Sequence, residues 1–199
     1  MKITGKTFKM AVALICVLSM AFALAGCGAQ EYVFEAEYAI VADGSGMWNP
    51  NLEKESKTED GDVVPGGICN VTDGSTVTWK IVSDKAEKAT VTLNIGSYLK
   101  NWGEQTMGTI GIEDMTKAMT LTVNGAPVTI TGSIPDGTSM EIVAFEFEVD
   151  LVAGENTFVV TALGTSEEVN LFIDSLIIET GATLTFTETD NTDRIWQMA

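Results

Sequence analysis

The sequence predicts an all-β chain of antiparallel strands, on three observations. Apolar and polar residues alternate with period two along most of the chain after residue 31, the signature of half-buried strands. Short polar segments containing glycine separate the alternating runs. Nothing after the N-terminal segment keeps the 3.6-residue apolar period of a long helix. This combination indicates a sandwich or a barrel.

The elements follow in order. Thr76-Val77-Thr78-Trp79-Lys80-Ile81-Val82 alternates and places Trp79 in the core; Ala89-Thr90-Val91-Thr92-Leu93-Asn94-Ile95 alternates as well. Met119-Thr120-Leu121-Thr122-Val123 leads through Asn124-Gly125 to Pro127-Val128-Thr129-Ile130-Thr131. An Asn-Gly pair between two such runs predicts a hairpin, because both central residues of a type I′ turn need φ > 0. Ala144-Phe145-Glu146-Phe147-Glu148-Val149 puts its aromatic residues on one face and its acids on the other. Ala153-Gly154-Glu155-Asn156 turns into Thr157-Phe158-Val159-Val160-Thr161-Ala162-Leu163; residues 169–178 form a further strand and Leu184-Thr185-Phe186-Thr187 a last one. Residues 43–75 and 97–117 read as two long loops, each with a tryptophan, Trp48 and Trp102. Loops of that length in a compact domain are commonly functional.

Composition narrows the function. The 199 residues carry 28 Asp and Glu against 11 Lys and Arg, a net charge of −17, and no His. Nucleic acid and anionic lipid surfaces are therefore poor partners. Histidine-metal catalysis, Ser-His-Asp hydrolysis and Cys-His nucleophiles are excluded. The length suits one domain with its own core.

The N-terminus carries an address. Lys2, Lys6 and Lys9 precede an apolar run over residues 10–24, which ends in Leu24-Ala25-Gly26-Cys27. The run is short for a transmembrane helix, which needs about 20 residues. Its ending resembles the lipobox of bacterial lipoproteins. The resemblance implies a signal peptide over 1–26, acylation of Cys27, and an extracytoplasmic protein held on the cell membrane by its lipid. Residues 27–31 are then anchor and linker, 32–179 the sandwich, and 180–199 a C-terminal strand or tail. With Cys27 acylated, Cys69 is the one other cysteine of the mature chain, so no internal disulfide can form, and it reads as a small buried hydrophobe.

The order of the pieces resembles carbohydrate-binding module families 6 and 35. The likeness rests on Tyr32-Val33-Phe34-Glu35-Ala36-Glu37-Tyr38-Ala39, on Gly66-Gly67 ahead of Asp73-Gly74-Ser75-Thr76-Val77-Thr78-Trp79, and on Leu121-Thr122-Val123-Asn124-Gly125. It continues through Val149-Asp150-Leu151-Val152-Ala153-Gly154-Glu155-Asn156-Thr157 and Val169-Asn170-Leu171-Phe172-Ile173-Asp174-Ser175-Leu176. It implies a jelly-roll sandwich, no catalysis, and a structural Ca²⁺ held by Glu35, Glu37 and Asp174. The residues agree with such an ion. Acids two apart on one strand point the same way, repel, and suit a hard cation with oxygen ligands. They do not flank a substrate as a paired-carboxylate glycosidase requires.

For glycan, tryptophan and tyrosine faces beside amides suit the C–H and hydroxyl surfaces of a sugar. Trp48 with Asn49 and Asn51, and Tyr98 with Asn101 and Trp102, offer that combination; Lys100 could meet an acidic sugar. Trp196 lies near the terminus. The resembled families place a ligand-binding asparagine two residues before the last aspartate. Here that position is Phe172, and the nearest asparagine is Asn170. The expectation is a monomeric, lipid-anchored module that binds neutral glycans. A structural or protein-interaction lipoprotein domain is the alternative.

Overall fold

The computed structural model describes residues 28–42, 46–47, 56–57, 63–64, 67–71, 74–99, 111–137, 142–163 and 169–191; for 46–47, 56–57, 63–64, 69–70, 98–99 and 169–170 it describes the backbone alone. The chain is an antiparallel jelly-roll sandwich of two six-stranded sheets, with a separate two-stranded ribbon of β4 (Ser56–Lys57) and β5 (Val63–Val64). The first sheet runs β11 (Ile142–Leu151), β8 (Glu87–Leu99), β13 (Val169–Thr180), β6 (Ile68–Val71), β3 (Gly46–Met47), with β1 (Gln30–Glu35) also on β13. The second runs β10 (Ala126–Val128), β9 (Met119–Val123), β12 (Gly154–Ala162), β7 (Thr76–Ser83), β14 (Leu184–Phe186), with β2 (Ile40–Ala42) also on β7.

The alternation in the sequence becomes the core. Val77, Trp79 and Ile81 of β7, Val91, Leu93 and Ile95 of β8, and Phe158 and Val160 of β12 are fully buried between the sheets. Full burial of each large apolar side chain contributes about 1.5–3 kcal/mol. Phe34 meets Phe186 edge to face at 5.4 Å between ring centroids, which joins the first strand of one sheet to the last strand of the other. The sandwich therefore runs past residue 179. β14 extends the second sheet, and Asn191 is 4% exposed.

The Asn124-Gly125 turn has φ of 53° and 79°, as the type I′ expectation requires. It is also tied to the neighbouring turn. The Asn156 amide, fully buried, accepts from Val152 N (2.9 Å) and Asn124 Nδ2 (3.0 Å), and donates to the carbonyls of Val152 (2.9 Å) and Gly154 (3.1 Å).

The two long loops differ from expectation. Residues 43–75 contain β3, β4, β5 and β6, and Ile68 and Val71 of β6 are fully buried. Strands this short fall below the length at which alternation is visible. Residues 97–99 continue β8, and α1 (Met115–Ala118) is a single turn capped by Asp114, whose carboxylate accepts from Thr116 N at 3.1 Å. The strand after Asn124-Gly125 ends at Val128 rather than reaching Thr131.

Replacing Asn156 by Ala removes the side-chain partner of the Val152 N–H and of the Val152 and Gly154 carbonyls. We expect Asn156→Ala to cost roughly 2–4 kcal/mol in urea unfolding. A loss below about 0.5 kcal/mol would show that the two turns do not depend on this amide.

Candidate functional site

The acids singled out in the sequence meet where the chain passes between the sheets. β1 ends at Glu35, a 3₁₀ turn over Ala36–Tyr38 follows, and β2 begins in the opposite sheet at Ile40. Ala36 and Ala39 are fully buried at this crossing, on either side of the buried Glu37. Glu35 and Glu37 do not share a strand face as expected. The strand stops at Glu35, because the chain must turn to reach the other sheet, and Glu37 lies in the turn.

Asp174 arrives from the other side. β1 pairs with β13 so that Glu35 faces Ser175. On the β8 edge the register slips between Ile173 and Ser175, so Asp174 is the extra residue of a β-bulge. The bulge changes the buried phase of the strand from Leu171 and Ile173 to Leu176 and Ile178. Asn94 Nδ2 donates to Ser175 Oγ (3.0 Å), and Ser175 Oγ donates to Asp174 Oδ2 (2.7 Å).

The electrostatics are unfavourable without a cation. Glu37 is 7% exposed, and its Oε2 is buried with no hydrogen-bond partner among the described residues. Burial, then the charges of Glu35 and Asp174, push its pKa up to about 7, against a lowering contribution from its own backbone N–H. Glu35 is raised by burial of its carboxyl and then by the charge of Asp174. Asp174 is raised by burial, offset in part by Ser175. The charges of Glu35 and Asp174 thus bear on Glu37, whose buried Oε2 has no partner among the described residues. Among the described residues no group of three or more acidic, histidine or cysteine side chains that could hold a metal ion is found. A hard cation would satisfy the orphaned oxygen, and it would need backbone oxygen or water besides these acids.

The glycan candidates divide. Trp48, Lys100, Asn101 and Trp102 lie outside the described residues, as do Cys27, Asn49, Asn51 and Trp196. Tyr98 and Asn170 are described by backbone, and the structure brings them together: they are direct cross-strand partners of β8 and β13. This pairing ties the segment after β8 to the start of β13, and it was not visible in the sequence because the two residues are far apart along the chain. Asn170 is four residues from Asp174, about 13 Å along a strand. Phe172 is 1% exposed, and a Cβ on Gly67 would collide with its ring and with the Ile173 carbonyl. Phe172 is thus filled-in structure at the place where the resembled families keep an asparagine.

No family model matches the chain, and no curated protein matches it. Among solved structures it is similar to a family 35 carbohydrate-binding module from Cellvibrio japonicus: 21% identity over 79% of this chain and 97% of that one, TM-score 0.47. It is also similar to a family 36 module of a multidomain xylanase from the hindgut metagenome of Trinervitermes trinervoides: 14% identity, 75% and 96% covered, TM-score 0.47. An exo-β-1,3-galactanase from Phanerochaete chrysosporium is similar at 19% identity over 75% of this chain and 29% of the enzyme, TM-score 0.48.

Two predictions follow from the geometry of the site. Glu37 has a higher pKa folded than its ordinary 4.5, so the folded state holds the proton more tightly. With divalent cations chelated, stability should be greatest below about pH 4.5 as far as this group is concerned. It should fall as pH rises towards about 7, by on the order of 3 kcal/mol. Glu37→Gln should flatten this dependence between pH 5 and 8, read as Tm against pH; an unchanged slope would show that Glu37 is not its source. Gly67→Ala drives a Cβ into the Phe172 ring and the Ile173 carbonyl and should cost about 1–3 kcal/mol in thermal unfolding; a neutral result would mean that ring and strand both have room to give.

Proposed function

We propose that this chain is a non-catalytic, lipid-anchored module of the cell surface that binds neutral glycan and carries a structural Ca²⁺ at Glu35, Glu37 and Asp174. The observation that carries the glycan reading is the register pairing of Tyr98 with Asn170. It sets an aromatic and an amide position side by side at the strand ends from which the segments holding Lys100, Asn101 and Trp102 continue. Aromatic faces with adjacent amides suit sugar rings, and an acidic chain suits a neutral polymer better than an acidic one. The sequence resemblance to the binding-module families supports the same reading.

The ion reading is supported by the free buried oxygen of Glu37 and the mutual charge of the three acids. Ca²⁺ would offset two of their three negative charges and link the first strand, the turn and β13. The anchor reading rests on the lysines, the apolar run and Leu24-Ala25-Gly26-Cys27. Acyl chains contribute about 0.8 kcal/mol per buried CH₂, so more than one chain holds a protein firmly.

Affinity electrophoresis through neutral polysaccharides tests the binding. Retention that is lost in Trp102→Ala and Tyr98→Ala supports the module. Absence of retention across diverse polysaccharides favours the protein-interaction alternative, and release of reducing sugar would establish a hydrolase. For the ion, EDTA should lower Tm by several degrees, and Glu37→Ala should remove that response; identical melting curves with and without EDTA would refute the cation. Cys27→Ala should move the protein from the detergent phase to the aqueous phase, which is checked by detergent partition.

A further inference from the structure

The carboxyl-bearing turn is held from behind by a segment beyond the last strand. Asn191, 4% exposed, uses its amide nitrogen twice, donating to the carbonyl of Glu37 at 2.8 Å and to that of Ala39 at 2.7 Å. Between them, the backbone N–H of Thr189 donates to the carbonyl of Tyr38 at 2.8 Å. The three successive carbonyls of the turn are therefore all engaged by residues 189–191. The turn keeps one short internal bond, Ala39 N to Ala36 O at 3.0 Å. A three-residue 3₁₀ turn with so little bonding of its own takes its shape from what surrounds it.

The occupied carbonyls have a second consequence. The Glu37 carbonyl is turned towards Asn191, which fixes the backbone from which the Glu37 carboxyl projects. The buried Oε2 has no other partner among the described residues.

We infer that Asn191 is a positioning residue for the cation site. It fixes the turn that aims the Glu37 carboxyl, and it couples cation binding to the order of the C-terminal segment over residues 184–191. The inference rests on the cation reading above, and it concerns a residue outside the stretch that resembles the binding-module families. Coupling is reciprocal: if the docked segment raises the affinity for the ion, the ion holds the segment down by the same factor. Partners that orient a metal's own ligands commonly change metal affinity 10- to 100-fold when removed.

The test uses the full chain and Ca²⁺ alone, with affinity measured by calorimetric titration. Asn191→Ala should weaken Ca²⁺ binding about 10-fold. Asn156→Ala removes an equally buried amide in another part of the sandwich; it should lower Tm while leaving Ca²⁺ affinity unchanged. In the unmodified chain, saturating Ca²⁺ should slow hydrogen exchange at the Thr189 amide. Equal Ca²⁺ affinity in Asn191→Ala and the unmodified chain overturns the inference, as does equal weakening by Asn156→Ala. If Asn191→Ala does not fold, exchange decides: Ca²⁺ protection of the turn amides without any at Thr189 overturns it. A chain that binds no Ca²⁺ at all defeats the cation reading, and the coupling with it.

Discussion

A carboxyl group held almost out of water, with one oxygen unpartnered among the described residues, is the constraint around which this sandwich is arranged. Glu37 lies where the chain leaves one sheet for the other, and its neighbours Glu35 and Asp174 add charge of the same sign. An isolated group of this kind lowers stability unless it is protonated or matched by a cation. The surroundings fix it in place all the same. Two fully buried alanines frame the turn, β13 supplies Asp174 from a bulge, and Asn191 and Thr189 secure the turn's carbonyls.

β13 organises the rest. It pairs with β8 along nearly its whole length on one edge and with β6 and β1, end to end, on the other. The bulge at Asp174 lets one strand serve both partners. Before it, Leu171 and Ile173 face the core; after it, Leu176 and Ile178 do. Without the extra residue, a strand buried before the bulge would turn its apolar side to solvent beyond it. The side chain released by this change of phase is the aspartate.

The fold was largely legible because its long strands are amphipathic. Thr76–Ser83, Met119–Val123 and Gly154–Ala162 each show the period that the core later confirms, and Asn124-Gly125 announced its turn chemically. β3 to β6 were not legible: two to four residues cannot display a period, and Ile68 and Val71 are buried by partners remote in sequence. At the site, the residue types were readable and their arrangement was not. Glu35 and Glu37 looked like one strand face, but the crossing between sheets breaks the strand between them. Leu171-Phe172-Ile173 and Leu176-Ile177-Ile178 are apolar in both phases, so the bulge at Asp174 left no readable mark. Asn191 gave no local signal, since its partners are more than 150 positions away.

The strand registers also give the molecule a polarity. Gln30 faces Thr180 at one end of the first sheet, and Tyr98 faces Asn170 at the other. Asn170 and Thr180 lie ten residues apart on β13, so at about 3.3 Å per residue those ends are roughly 33 Å apart. Cys27 precedes Gln30 by only three residues, so a group carried on that cysteine would join the molecule nearer the Gln30 end than the Tyr98–Asn170 end.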